Sequence, residues 1–428
     1  MGSHLPPLFS ERVNVVIFYD FEVFKEDWLA VFIDVTKKKE YVIINNPDEL
    51  KALYEANSKD IWVGYNNRHY DQYIMKGILL GMNPKRINDW IIVEKKEGWQ
   101  FSSAFNKVPM INYDVMPNPP VGLKTLEGFL GSNIKETDVD FRINRKLTKE
   151  EIEMTVFYCR HDVEETIKVF LEKIDEFNAM HGIIQAFPDI VNLSDIGDSE
   201  ARITAKVLGC TRRSFEDEFD FYFLPCLQLK KYKYVQDWFE QKRQEALSMD
   251  LAHMDKYSKR TWYKEQGLET VVAGIPHSFG FGGVHGATAE PIHKTGQLLH
   301  VDVNNYYPSM LIAWGLVTRA ATNDNYPLVY NTRKAMKEKQ IAAKNAGNKK
   351  EVKRWKKAQL PYKKMLNALS GAMKDETNAA YDPRNNNCMC INGQLMLLDL
   401  IEHLEVVPGF ELIQSNTDGL ITVSYTHL

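Results

Sequence analysis

Several features are scarce in this chain of 428 residues. Its five cysteines, Cys159, Cys210, Cys226, Cys388 and Cys390, form an odd set with no CxxC pair. That argues against a disulfide-framed secreted scaffold and against the common zinc spacings, and it fits reduced structural thiols in a cytoplasmic protein. No apolar run approaches the roughly 20 residues of a membrane-spanning helix, so no membrane partner is expected. No secretory leader is visible, and Met1-Gly2-Ser3-His4 reads as an expression remnant. A strong charge of one sign is also missing: the net charge of -4 gives no global indication of a polyanionic partner.

What is present is an ordinary globular composition, 44% hydrophobic and 26% charged, in a chain long enough for two or three domains. The charge is unevenly spread. Between Arg333 and Lys364 there are thirteen lysines and arginines against Glu338 and Glu351, a local excess of eleven positive charges. A segment of that kind calls for a polyanion.

Acidic residues cluster differently in the first half. VNVVIFYDFEVF, residues 13–24, reads as a strand in which Asp20 and Glu22 project from one face, their Cα atoms about 6.6 Å apart. Carboxylates at that spacing suit a pair of divalent ions roughly 4 Å apart. Asp71 follows the apolar strand Ile61 to Val63 and opens a helical stretch, Gln72 to Leu80. Asp162 falls within a helix whose start is marked by the capping-box pair Thr148 and Glu151. A stripe of Ile152, Val156, Cys159, Val163, Ile167 and Phe170 gives that helix a buried face. Tyr158 lies one turn before Asp162, so phenol and carboxylate share a face.

The second half carries a strand ending at Asp302, in which Leu299, Val301 and Val303 alternate with His300, Asp302 and Asn304. The apolar set is expected to face a core, and the strand to break at Pro308. Asn331 is placed to cap a helix reaching Asn345. After the turn Ala346-Gly347-Asn348, a second helical stretch runs from Lys349 and restarts at Pro361. Arg333 and Lys337 are one turn apart, as are Lys363 and Asn367, so two helices could present cations to a triphosphate. Gly371, one turn beyond Asn367, leaves bare space where a base pair could lie. Glu411 to Val423 reads as a hairpin whose Asp-Gly turn presents Asp418 at its tip.

The first set, Asp20-x-Glu22, Asn66-x3-Tyr70-Asp71 and Tyr158-x3-Asp162, resembles the DEDDy class of 3′ to 5′ exonucleases and the proofreading domain of B-family DNA polymerases. The resemblance implies Asp20, Glu22, Asp71 and Asp162 as metal ligands, Tyr158 as the residue that positions water, and Asn66 as a contact to single-stranded DNA. It also points to Lys135 as a basic residue used by some phage members. The second set resembles the polymerase motifs of that family. Asp302 to Ser309 is similar to DxxSLYPS, with Asn305-Tyr306 in place of Ser-Leu. Lys363-x3-Asn367-Ala368-Leu369-Ser370-Gly371 is similar to KxxxNSxYG, and Gln414 to Gly419 to YxDTDS with Asn416 for the first aspartate. Gly282-Gly283 resembles the glycine pair that precedes the palm.

The resemblance implies a multidomain α/β and α+β fold. Residues 1–190 would be a ribonuclease H-like exonuclease domain and 191–275 an interdomain region. Residues 276–330 would be the first part of a palm with an antiparallel sheet, 331–373 helical-hairpin fingers, and 374–428 the rest of the palm, with a thumb missing. It further implies a phage-like DNA-directed DNA polymerase using two Mg²⁺ or Mn²⁺ per site on Asp302 and Asp418, and contacts to nucleotide from Tyr307, Arg333, Lys337, Lys363 and Asn367. Gly282, Gly283 and Gly371 would lie against DNA. Primer-template DNA, deoxynucleoside triphosphates and a single-stranded 3′ end are the expected partners. Two other functions stay open on these residues: an exonuclease whose polymerase half is inert because of Asn416 and the missing thumb, and a non-catalytic DNA-binding remnant.

Overall fold

The computed structural model describes residues 15–132, 139–288, 290–293 and 297–424. They form two compact units, Met1–Asp198 and Ser199–Leu428.

The first unit is built on a five-stranded mixed sheet. Its strands are β1 (Val16–Val23), β2 (Trp28–Asp34), β3 (Lys39–Ile44), β4 (Ile61–Gly64) and β5 (Ile111–Asp114), in the order β3-β2-β1-β4-β5. β1 pairs antiparallel with β2 and parallel with β4, which places it in the middle of the sheet. That position explains its near-continuous apolar sequence, because a central strand is covered on both faces. In the core on one side Tyr19 and Phe32 stack, and Phe21 and Trp62 each meet both of them edge to face. Around the sheet lie α1 (Pro47–Ala56), α2 (Asp71–Leu79), α3 (Pro84–Asn88), α4 (Leu123–Leu130), α5 (Lys149–Glu172) and α6 (Ile174–Ala186). The capping box is present: Thr148 accepts from the Glu151 amide while Glu151 accepts from the Thr148 amide. The helix buries more than the apolar stripe, since His161 and Glu165 are also buried.

The second unit begins with α7 (Glu200–Val207), α8 (Lys233–Ser248) and α9 (Lys256–Glu265). Residues 191–275, expected as an interdomain region, thus contain three helices and the buried rings of Phe219, Phe221, Phe239 and Trp262. A six-stranded antiparallel sheet follows. Its members are β6 (Leu268–Val272), β7 (Ile275–Phe279), β8 (His285–Ala287) and β9 (Gln297–Asp302), closed by the hairpin β10 (Phe410–Asn416) and β11 (Gly419–Ser424), in the order β6-β7-β8-β10-β11-β9. The helices are α10 (Tyr306–Ala313), α11 (Asn325–Asn345), α12 (Lys349–Ala358), α13 (Leu360–Lys374) and α14 (Pro383–Leu404).

α14 is buried along most of its length, with Cys388, Met389, Ile391 and Leu395 at its centre. Two of its buried amides tie it to its surroundings, as burial favours: Asn392 accepts from the Leu224 amide and donates to the Tyr222 carbonyl, and Gln394 donates to the carbonyls of Gly280 and Gly282.

Three local expectations are corrected. β9 is an edge strand: of the expected set Val301 is 44% exposed and Leu299 only half-buried, while Val303, just past the strand, packs against Leu224, Tyr306 and Met310. Pro308 does not end the strand in a loop; it sits in the first turn of α10, where its missing amide costs nothing. α11 starts at Asn325 rather than at Asn331, because Tyr326 and Val329, one turn apart, are buried and the Tyr326 hydroxyl donates to the Leu366 carbonyl on α13.

Candidate active sites

In the first unit, β1 and α5 bring three acids together. Asp20, Glu22 and Asp162 each offer an oxygen within 4.8 Å of the other two. Asp71 joins them from the first residue of α2. It accepts from the Phe21 amide at 3.1 Å, between the two β1 acids, and is only 3% exposed. Burial and mutual repulsion act together here. Burial, then the charges of Asp71, Glu22 and Asp162, pushes Asp20 well above the usual carboxylate range. Burial, then Asp162 and Asp71, pushes Glu22 up to about 8. Asp71 is pushed up to about 7, mainly by burial and in spite of its backbone hydrogen bond. A hard divalent cation suits such an all-oxygen donor set and relieves the crowding.

Among the described residues one lysine reaches this cluster. Lys124, near the start of α4, donates to Asp162 and pairs with Glu127 at 3.1 Å. Burial lowers its ammonium, but the bonds to Asp162 and Glu127 outweigh that and hold it above its ordinary value. Glu127 is fully buried, and its second neighbour is His161 at 3.4 Å. Lys135, the sequence candidate for a basic residue, lies outside the described residues. Lys124 gave no signal in the sequence, being 38 residues from its partner. Tyr158 is half-buried on α5, edge to face with Phe157. Asn66 adopts a left-handed conformation (φ 59°) held by its amide donating to Asp114. Asparagine tolerates that region better than most residues.

In the second unit, β9 and the β10–β11 hairpin place two acids side by side. Asp302 pairs in register with Gly419, and the Val303 amide donates to the Asp418 carbonyl at 2.9 Å. A side chain at Gly419 would meet the Val301 carbonyl at 2.8 Å, so the strands approach this closely only with glycine there. Asp302 and Asp418 border a cleft of about 480 Å³. Across it stand Arg333 and Lys337 from α11, and Lys363 and Asn367 from α13. Among the described residues none of these three cations has a carboxylate within 4 Å, and the buried Arg333 Nε has no hydrogen-bond partner. Burial lowers the Arg333 guanidinium from its ordinary value.

Tyr307 forms part of the cleft floor. Its ring stacks on Tyr306 at 5.7 Å, and the Tyr306 hydroxyl donates to the Gly393 carbonyl at 2.7 Å. A side chain at Gly393 would come to 3.0 Å from the Tyr307 ring, so this glycine makes room for the platform. Asn305, which turns β9 into α10, is left-handed (φ 55°). Gly371 lies on the exposed face of α13 one turn past Asn367, and a side chain there would enter open space. Gly283 backs the hairpin: a side chain would fall 2.3 Å from Thr417 Oγ1. Gly282 is held through its carbonyl by Gln394. Asn416 is exposed, and its side-chain oxygen accepts from the Thr417 amide. It does not line the cleft, whereas Thr417 and Asp418 do.

No protein-family model matches the sequence, and no curated protein matches it. Among solved structures, the family B DNA polymerase from the hyperthermophilic archaeon Pyrobaculum calidifontis is similar over 96% of this chain, with a TM-score of 0.51 and 12% identity. The chain has a family B polymerase-like fold. It corresponds to 54% of that protein, so it spans about half the length of the structure it matches. Among the described residues no helix is long and apolar enough to cross a membrane.

Proposed function

We propose that this protein is a DNA-directed DNA polymerase with a separate 3′ to 5′ exonuclease site, of the kind phages use to replicate DNA. The observation that carries the reading is the cleft of the second unit. Two acids border one side, and three cations that have no carboxylate partner among the described residues face them across a space of about 480 Å³. That arrangement suits a nucleoside triphosphate: oxygen donors for hard cations at one end and charge-assisted donors for phosphate at the other.

Mg²⁺ or Mn²⁺ held by Asp302 and Asp418, and by Asp20, Glu22, Asp71 and Asp162 in the first unit, would supply charge neutralisation and an acidified hydroxyl or water. The residues of the chain do the rest. Arg333, Lys337 and Lys363 bind the triphosphate and neutralise the charge that builds on the departing pyrophosphate. Tyr307 lies beneath the sugar and leaves no room for a 2′ hydroxyl, which favours deoxynucleotides. The bare face of α13 at Gly371 accepts the nascent base pair. In the exonuclease, Tyr158 orients the attacking water, Lys124 balances the acidic cluster, and Asn66 contacts the single-stranded 3′ end.

Primer extension and 3′ degradation on one labelled primer-template, with and without Mg²⁺ and deoxynucleotides, test the reading. Extension should require nucleotides and be lost in Asp302→Ala; degradation should be lost in Asp20→Ala/Glu22→Ala. Degradation without any extension would leave only the nuclease, and neither activity would leave a DNA-binding protein.

A further inference from the structure

A second cleft in the same unit is not used by the chemistry above. It has a volume of about 510 Å³ and lies between α9, the end of α13 and the start of α14. Lys256, Arg260 and Lys264 line it from α9, spaced four residues apart and therefore on one helix face. Lys374, the last residue of α13, joins them. All four are exposed, and among the described residues none has a carboxylate within 4 Å. The cleft also holds two acids, Glu218 and Glu376, but both are taken by Lys259, at 3.3 and 3.4 Å, and Glu218 also accepts from the Tyr263 hydroxyl at 2.8 Å. The five cations and two acids of the lining leave a net charge of +3 on the cavity wall. Its wall includes the rings of Tyr263 and Phe281, which meet edge to face at 5.2 Å.

Both clefts border α13. Lys363, Asn367 and Gly371 follow one another at four-residue steps along its exposed side, and Lys374 stands three residues further, about 4.5 Å along the axis. A strand that leaves the first cleft past Gly371 therefore meets the second at once. Unpaired cations along a groove are the chemistry that holds the backbone of a single strand, with phosphates on the lysines and arginine. A free nucleotide would use at most part of a charged stripe that runs over two turns of α9.

Resting on the polymerase reading, we propose that this second cleft binds the phosphate backbone of unpaired template nucleotides on the 5′ side of the nascent base pair. The test is equilibrium binding by fluorescence anisotropy, without nucleotide. It compares a blunt duplex with the same duplex carrying a 5′ template overhang, for the full chain and for Lys256→Glu/Arg260→Glu/Lys264→Glu. These positions are exposed, and an unchanged melting temperature shows that the variant folds. The variant should lose about tenfold or more in affinity for the overhang substrate. Its plot of log affinity against log salt should flatten by about two to three, because three phosphate contacts are gone. Binding to blunt duplex should change less than about twofold. Equal losses on both substrates, or no loss on either, would overturn the assignment. Binding needs no chemistry, so a chain that never extends primers yet shows the overhang-selective loss sinks the polymerase reading alone. A chain that extends primers without that loss sinks the cleft alone.

Discussion

The Val303 amide donates to the Asp418 carbonyl at 2.9 Å, which ties the residue after one acid of the polymerase-like cleft to the backbone of the other. The tie depends on Gly419, directly opposite Asp302. Gly419→Val should push the two strands apart and lower nucleotide insertion by about a hundredfold, since small misplacements of reacting groups are that costly. Degradation by the first unit should persist, and both rates can be read from one labelled primer. A variant that inserts nucleotides normally would show that the pairing is not needed.

Tyr307 is fixed from below by Tyr306 and given space by Gly393. Tyr307→Ala should raise ribonucleotide incorporation relative to deoxynucleotide incorporation by about tenfold or more, because a steric barrier is removed without touching the triphosphate contacts. Single-nucleotide insertion kinetics measure the ratio. An unchanged ratio would remove the sugar-checking role.

Lys124 is the only described cation that pairs with Asp162. Lys124→Met should slow 3′ degradation by about a hundredfold, as expected for loss of the charged group that holds and balances a metal-binding carboxylate. Glu127→Gln, which loosens the hold on Lys124 from behind, should cost about tenfold. Extension should be spared in both. Equal effects on extension would point to a general folding defect.

The acids of the first unit give a pH dependence with a definite sign. Without metal, Glu22 and Asp71 titrate at about 8 and about 7, whereas unfolded carboxylates titrate near about 4. The folded form therefore holds these protons more tightly. Their contribution to stability is fully present below about pH 4 and is lost as pH rises through 7 to 8. Divalent cations compete with those protons, so Mg²⁺ should raise the melting temperature little at about pH 5.5 and more at about pH 8.5. Asp20→Ala/Glu22→Ala should abolish the difference. Calorimetry that finds the same Mg²⁺ shift at both pH values would contradict this.

Asn416 stands where the resemblance has a carboxylate, yet its oxygen is occupied by the Thr417 amide. Asn416→Asp should therefore change insertion by less than about threefold, the ligand charge of the cleft resting on Asp302 and Asp418. A large gain in the rate would mean that the side chain does reach the metals.

Much of this was legible where chemistry and periodicity coincide in a short stretch. The two acids of β1, the capping box of α5, the hairpin at Asp418 and the exposed face of α13 each follow from spacing within about a dozen residues. What escaped depends on contacts distant along the chain. Lys124 meets Asp162 only through the packing of α4 on α5, and Arg260 shares a cleft with Lys374 where Lys259 of α9 reaches Glu376, just past the end of α13. β9 misled for a related reason: alternation shows which residues share a face, but whether that face is covered depends on the strand's place in the sheet, and β9 lies at the edge. The start of α11 was masked by Asn331, a good cap by type that the buried pair Tyr326 and Val329 overrides.

A single helix runs past both clefts of the second unit, with Lys363 near one end and Lys374 at the other, about 16 Å apart, and with Leu369 buried between them. α13 is held along its whole length, by buried Pro361, Met365, Leu366, Leu369, Ala372 and Met373. The spacing between the two lysines is thereby fixed, and any strand that touches both must span that set distance.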